Sequence, residues 1–167
     1  ASTTLQNQGV GTYSLLLSGT TATEWNYATI RDINASGVVF SGTPTVTDFS
    51  HTDHLVKING GSGITVGGTV IDANQAKNFT GNVFATSSPA TTASNVTATG
   101  TSVSSWRFTN HLGALSGEAF DTDPAGDPGY LVWADSAALI TVSGHVYSDE
   151  GSTVSTVCNG VTPSILL

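Results

Sequence analysis

Residues 117–136, GEAFDTDPAGDPGYLVWADS, gather Glu118, Asp121, Asp123, Asp127 and Asp135 among glycines and prolines, beside Tyr130 and Trp133. Asp121, Asp123 and Asp127 put three carboxylates within seven residues, and Gly126 permits a tight bend between them. Calcium takes six to eight oxygen ligands from such groups, so these three are the candidate metal ligands. The twelve-residue EF-hand pattern is absent, since no glycine and no closing glutamate fall where it needs them. A rigid acidic turn, its path fixed by Pro124 and Pro128, is the preferred reading. Glu118 and Asp135 offer a formal carboxylate pair for glycoside hydrolysis, as any acid-rich loop does.

Other chemistry-bearing residues are sparse. His51, Asp53 and His54 in HTDH have the types of a transition-metal site. On a strand, however, His51 and Asp53 share a side while His54 faces the other way, so a polar loop tip is preferred. His111 and His145 have no nucleophile signature beside them, and no G-x-S-x-G elbow occurs. Cys158 has no cysteine to pair with in the chain and no histidine near it in sequence. It reads as a small strand residue or half of an external disulfide. Trp25, Tyr27, Trp106, Tyr130 and Trp133 could stack on sugar rings, although covering the core is the preferred role. Asn34, Asn78 and Asn95 head formal N-glycosylation tripeptides. No catalytic residues are assigned, and the chain reads as a non-enzyme requiring no cofactor, with calcium as the candidate addition.

The elements that must position these groups are strands. In 167 residues, charged residues make up 10% and Gly numbers 19. Short Val, Thr and Ile runs are broken by glycine, and no long helical periodicity appears. Arg31, Lys57, Lys77 and Arg107 are the only basic residues, against twelve acidic ones, seven of which follow Arg107. A net charge of −8 without a basic cluster argues against nucleic acid and anionic membranes. No apolar run is long enough to span a bilayer. The opening ASTTLQNQG resembles the start of a chain released from a signal peptide, which points to a secreted, extracellular or cell-surface location.

Strands are expected in TYSLLLSG, NYATIRDI, GVVFSG, TVTDFS, HLVKING, GITVGGTVI, FTGNVFA, SNVTATG and SWRFTN. Only Asn59-Gly60 supplies a hairpin signal there. Asn34, Asn59, Asn74 and Asn110 at strand ends suit corners where a side chain satisfies backbone groups. The expected fold is therefore all-β: a right-handed parallel β-helix followed by C-terminal strands of an incomplete β-sandwich, with a single antiparallel β-sandwich as the alternative. Residues 1–116 form the solenoid with its N-terminal cap, 117–136 an acidic connector and 137–167 hairpin strands around Asn159-Gly160.

The segment SSWRFTNHLGALSGEAFDTDPAGDPGYLVWADSAALITVSGHVYSDEGSTVS resembles a junction in large bacterial surface and secreted proteins. There, right-handed parallel β-helix coils precede Ig-like or carboxypeptidase-regulatory-like modules. EWNYATIRDINASGVVFSG is similar to one such coil. The resemblance implies a solenoid passing into the first strands of a sandwich and carries no catalytic residues. Together these readings predict a structural subunit of a surface assembly, adhesin or filament, with copies of itself or other surface proteins as partners. Strand addition through Val142, Val146 and Tyr147, or Val161, Ile165, Leu166 and Leu167, would join the subunits. A carbohydrate-binding or carbohydrate-cleaving β-helix module, with polysaccharide as partner, is the alternative.

Overall fold

Thr, Val and Ile alternate with polar residues over short stretches, and each stretch forms a strand whose inward side chains meet those of strands far along the chain. The structure, a computed structural model, describes residues 3–20 and 22–134. The chain divides into two compact units, Ala1–Ser136 and Ala137–Leu167. The second unit lies outside the described residues, as do Asp135, His145, Cys158 and the seven apolar residues expected to join subunits.

Thirteen strands follow one another: β1 (Thr3–Leu5), β2 (Tyr13–Leu17), β3 (Ala22–Glu24), β4 (Ala28–Arg31), β5 (Ile33–Phe40), β6 (Thr45–Asp48), β7 (Asp53–Val56), β8 (Gly61–Gly67), β9 (Asn78–Thr80), β10 (Val83–Thr86), β11 (Ala93–Thr99), β12 (Trp106–Thr109) and β13 (Leu131–Ala134). One short helix, α1 (Gly68–Ala73), follows β8, and a 3₁₀ turn spans Glu118–Phe120. Four sheets result, ordered β1-β4-β7-β10, β2-β5-β8-β11, β9-β12-β13 and β3-β6. Every pair is parallel. No helix among the described residues is long and apolar enough to cross a membrane.

These four small, all-parallel sheets correct both expected architectures. The antiparallel sandwich fails because Asn59-Gly60 closes no hairpin. Instead the Gly60 N–H donates to the Thr92 carbonyl, 2.9 Å away on a distant segment. The right-handed parallel β-helix fails as well: strands run from three to eight residues, and the sheets hold four, four, three and two of them. A physical interruption separates the two smallest sheets. After β8 the chain winds into α1, and Asn74 at its end takes the place of a strand beside β6. The Asn74 Oδ1 accepts from the Val46 N–H at 2.7 Å, while its Nδ2 donates to the Pro44 and Val70 carbonyls, both at 2.9 Å. Sandwich strands, expected after residue 136, fall outside the described residues.

Register builds the core. Leu15, Val38, Ile64 and Val96 align across β2, β5, β8 and β11, as do Leu17, Phe40, Val66 and Ala98. All but the two residues of edge strand β2 are buried. A column of aromatic rings runs alongside. Trp25 stacks on Phe49 at 5.8 Å, Phe49 on Phe79 at 3.7 Å, and Phe108 on Trp133 at 4.5 Å. Phe79 and Phe108, tilted at 5.6 Å, link the two halves. Trp106 closes edge-on against Phe79 at 5.1 Å and donates its Nε1–H to the Asn74 carbonyl at 3.0 Å. One glycine is required by this close layering. Gly37 has φ +66°, and a Cβ there would lie 2.3 Å from the Ser62 carbonyl oxygen.

Phe79 touches three rings, Phe49 stacked, Phe108 tilted and Trp106 edge-on. Replacing it by alanine should cost about 3–5 kcal/mol, the range for emptying a buried aromatic site, read as a lowered denaturant midpoint in chemical unfolding.

Candidate functional site: an acidic corner and an open sheet edge

The acidic segment is a covering structure for the ladder. After β12, Leu112 forms a parallel bridge to Val83 in β10, and Thr122 forms one to Thr97 in β11. The Phe84 N–H donates to the Leu112 carbonyl at 2.9 Å, and the Ala98 N–H to the Thr122 carbonyl at 2.8 Å. β13 then completes the sheet beside β12. The outer edges of β10, β11 and β12 are thus each engaged by residues 112–134.

Asp123 shapes the corner. Its Oδ1 accepts from the Ala125 N–H at 2.8 Å, and its Oδ2 accepts from the backbone N–H groups of Leu131, at 2.8 Å, and Tyr130. The carboxylate therefore ties the turn to the start of β13. Asp121 Oδ2 accepts the Trp133 Nε1–H at 2.8 Å, which fixes the ring that ends the aromatic column. Glu118, Asp121, Asp123 and Asp127 line a concavity of about 530 Å³. Burial lifts the Asp121 carboxyl to about 6; the Trp133 N–H opposes this, and repulsion from Asp123 and Asp127 adds to it. Burial also raises the Glu118 carboxyl, helped by the charges of Asp121 and Asp127.

Among the described residues no group of three or more His, Cys, Asp or Glu side chains is placed to hold a metal ion. Asp121 and Asp123 are occupied with Trp133 and the backbone, so the structure does not bring the three proposed calcium ligands together as a cage. Arg107, the nearest base in sequence, has its side chain in the exposed outward position of β12.

HTDH disperses: His51 lies at a corner before β7, and Asp53 and His54 are successive residues of that strand. His51 stands exposed at a left-handed corner with φ 55° and stacks on Tyr27 at 4.9 Å. A Cβ at Gly81, also left-handed, would meet the His51 ring at 2.7 Å. Asp53 accepts from the Thr29 hydroxyl at 3.2 Å. His54 is 1% exposed, lies flat on Phe84 at 5.0 Å and meets Phe49 edge-on at 6.2 Å. Neither of its ring nitrogens has a hydrogen-bond partner among the described residues, and burial lowers its pKa to about 3.

Of the five aromatics considered for sugar stacking, Tyr27, 62% exposed, is the one on the surface. Trp106 is buried, and Trp25, Tyr130 and Trp133 pack against the core. The three glycan acceptors differ sharply. Asn95 is 0% exposed and donates its amide to the Leu115 and Gly117 carbonyls, both at 2.8 Å, so the folded chain does not present it. Asn34 donates to the Ser14 hydroxyl at 2.7 Å, and Asn78 is exposed on β9. Sequence reasoning missed the ion pair of Lys57 with the buried Asp32, at 3.0 Å. Its signal is the strand register: Ile30 aligns with His54, so residues shortly after each become neighbours.

At the opposite end the ladders are open. β1, β2 and β3 each form the terminal strand of a sheet, and among the described residues none carries a partner on its outer side. Leu16 on β2 is 59% exposed. No protein family, curated protein or solved structure matches the chain.

Two outcomes follow from the acid–base groups. His54 has a folded pKa below its unfolded value of about 6.5, so the unfolded chain binds the extra proton and stability falls as pH drops from 6.5 towards 3. Asp121 has the opposite sign, its folded pKa being raised, and stability falls as pH rises from about 4 to about 6. Relative to His54→Leu, the wild type should lose about 2 kcal/mol of unfolding free energy between pH 7 and pH 5; a flat difference between the two would show that His54 does not titrate on unfolding. Asp123→Ala should cost about 1.5–3 kcal/mol, the range for hydrogen bonds to a charged group, measured by thermal unfolding at neutral pH.

Proposed function

We propose that the chain is a non-enzymatic structural protein of an extracellular or cell-surface assembly, its copies joined by β-strand addition. The observation that carries this reading is the difference between the ends of the ladders: β1, β2 and β3 are open edges, whereas residues 112–134 engage β10, β11 and β12. An open parallel edge offers a row of backbone donors and acceptors, which recruits another strand unless it is blocked. The added strand gains a ladder of hydrogen bonds and buries one apolar face. Donor and acceptor surfaces differ, so the contact is heterologous and extends into a filament wherever its rotation does not close a ring.

The apolar segments of 142–147 and 161–167, with Val142, Val146, Tyr147, Val161, Ile165, Leu166 and Leu167, are the donors in this proposal. The low charge, the Thr, Ser and Gly richness and the resemblance to bacterial surface proteins support the same reading.

Deleting residues 161–167 should leave the melting transition of the first unit in place and abolish assembly, seen by electron microscopy and sedimentation. Ordered fibres of unchanged length after that deletion would remove 161–167 from the mechanism.

A further inference from the structure

β2 reads Tyr13-Ser-Leu-Leu-Leu17, and the segment 163–167 reads Pro-Ser-Ile-Leu-Leu. We propose that residues 163–167 of a second copy pair in parallel with β2, in the register Ser164 on Ser14, Ile165 on Leu15, Leu166 on Leu16 and Leu167 on Leu17. This rests on the strand-addition reading and names its acceptor and its register.

Three observations single out β2. It is longer than the other two edges at this end, five residues against three for β1 and β3. It carries no charge, whereas β3 ends on Glu24, a residue that discourages edge pairing. Its inward side chains Tyr13, Leu15 and Leu17 are only partly buried, and the outward Leu16 is 59% exposed, so one side of this strand lacks the cover its counterparts in β5 and β8 have.

The register follows from the pleat. Side chains alternate between faces with period two. With Ser164 on Ser14, Ile165 extends the inward row Leu15, Val38, Ile64, Val96, and Leu167 extends the row Leu17, Phe40, Val66, Ala98. Leu166 then lies over the exposed Leu16, and serine lies beside serine. A slip of one residue would turn Ser164 and Leu166 inward and expose Ile165 and Leu167. An antiparallel pairing on the same faces sets Leu166 against Ser14 and Ser164 against Leu16, mismatching both, or else Leu166 on Leu16 and Ser164 on Ser18. The parallel direction follows from the sheet itself, in which β2, β5, β8 and β11 are all paired in parallel. Pro163, which has no N–H, falls opposite Tyr13 at the beginning of the strand, where proline is tolerated and where the β2–β5 register already shifts.

The test uses the full chain with Cys158→Ser. Neighbouring parallel strands lie ~4.8 Å apart, within the Cα separation a disulfide spans. Leu16→Cys combined with Leu166→Cys should therefore form a ladder of disulfide-linked copies on mild oxidation of assembled material. Ser14→Cys with Ser164→Cys should form the same ladder, whereas Leu16→Cys with Ile165→Cys, the slipped register, and Leu16→Cys or Ser18→Cys with Ser164→Cys, the two antiparallel ones, should lose it. Fibres that depend on 161–167 but link through another pair, or through β1 or β3, overturn the register and leave strand addition standing. A 16–166 disulfide within a monomer overturns the second copy as occupant. Absence of any assembly by the parent protein overturns both readings.

Discussion

Parallel strands stacked in register place like side chains directly above one another, and the remainder of this structure depends on that constraint. An inward leucine, valine or isoleucine in one layer demands an apolar residue of compatible size in the next, and Leu15, Val38, Ile64 and Val96 answer in turn. The rings of Trp25, Phe49, Phe79, Phe108 and Trp133 obey the same rule in another row. His54 obeys it too. It occupies a row with Leu5, Ile30 and Phe84, and stacking on Phe84 holds it as a flat neutral ring inside the core.

Stacking alone leaves the corners unsatisfied, and there the short polar side chains act. Asn74 bridges β6 to the end of α1, and Asn82 Oδ1 accepts the Thr52 N–H at 2.9 Å. Asp72 Oδ1 accepts from the Ser102 hydroxyl and from the Val103 and Ser104 N–H groups, which together hold its carboxyl below the usual range, the Ser102 bond most of all. Asp123 performs the same service for the last turn. Carboxylates and amides in this protein are mostly backbone ligands, and that explains why so acid-rich a segment gathers no cage for a cation among the described residues.

Strand positions were legible where apolar and polar residues alternate: ATIR, TVTD and WRFT each match a strand. GITVGGTVI was legible only in its first half, which lies on β8; its second half enters α1, because Val70 and Ile71 are equally at home in a buried helix and a short apolar run has no period to tell the two apart. Asn59 and Asn74 were readable as corner residues. Asn82 and Asn95 were not, since their backbone partners lie 30 residues before the one and 20 or more after the other. The acidic turn was legible as a rigid connector, but the pairing of Leu112, just before it, with β10 and of its own Thr122 with β11 leaves no pattern in the sequence. Single bridges require no run of strand-forming residues.

The covered and uncovered ends have a directional consequence. Within each sheet the strands are parallel, and the edges β1, β2 and β3 differ from the edges that residues 112–134 engage, so the described unit has a head and a tail that cannot be exchanged by rotation. Any array built on that axis inherits a vector. Its two extremities would present different chemistry to the surroundings: an acidic face around Glu118 and Asp127 at one, and a nearly uncharged rim of Thr4, Ser14 and Leu16 at the other.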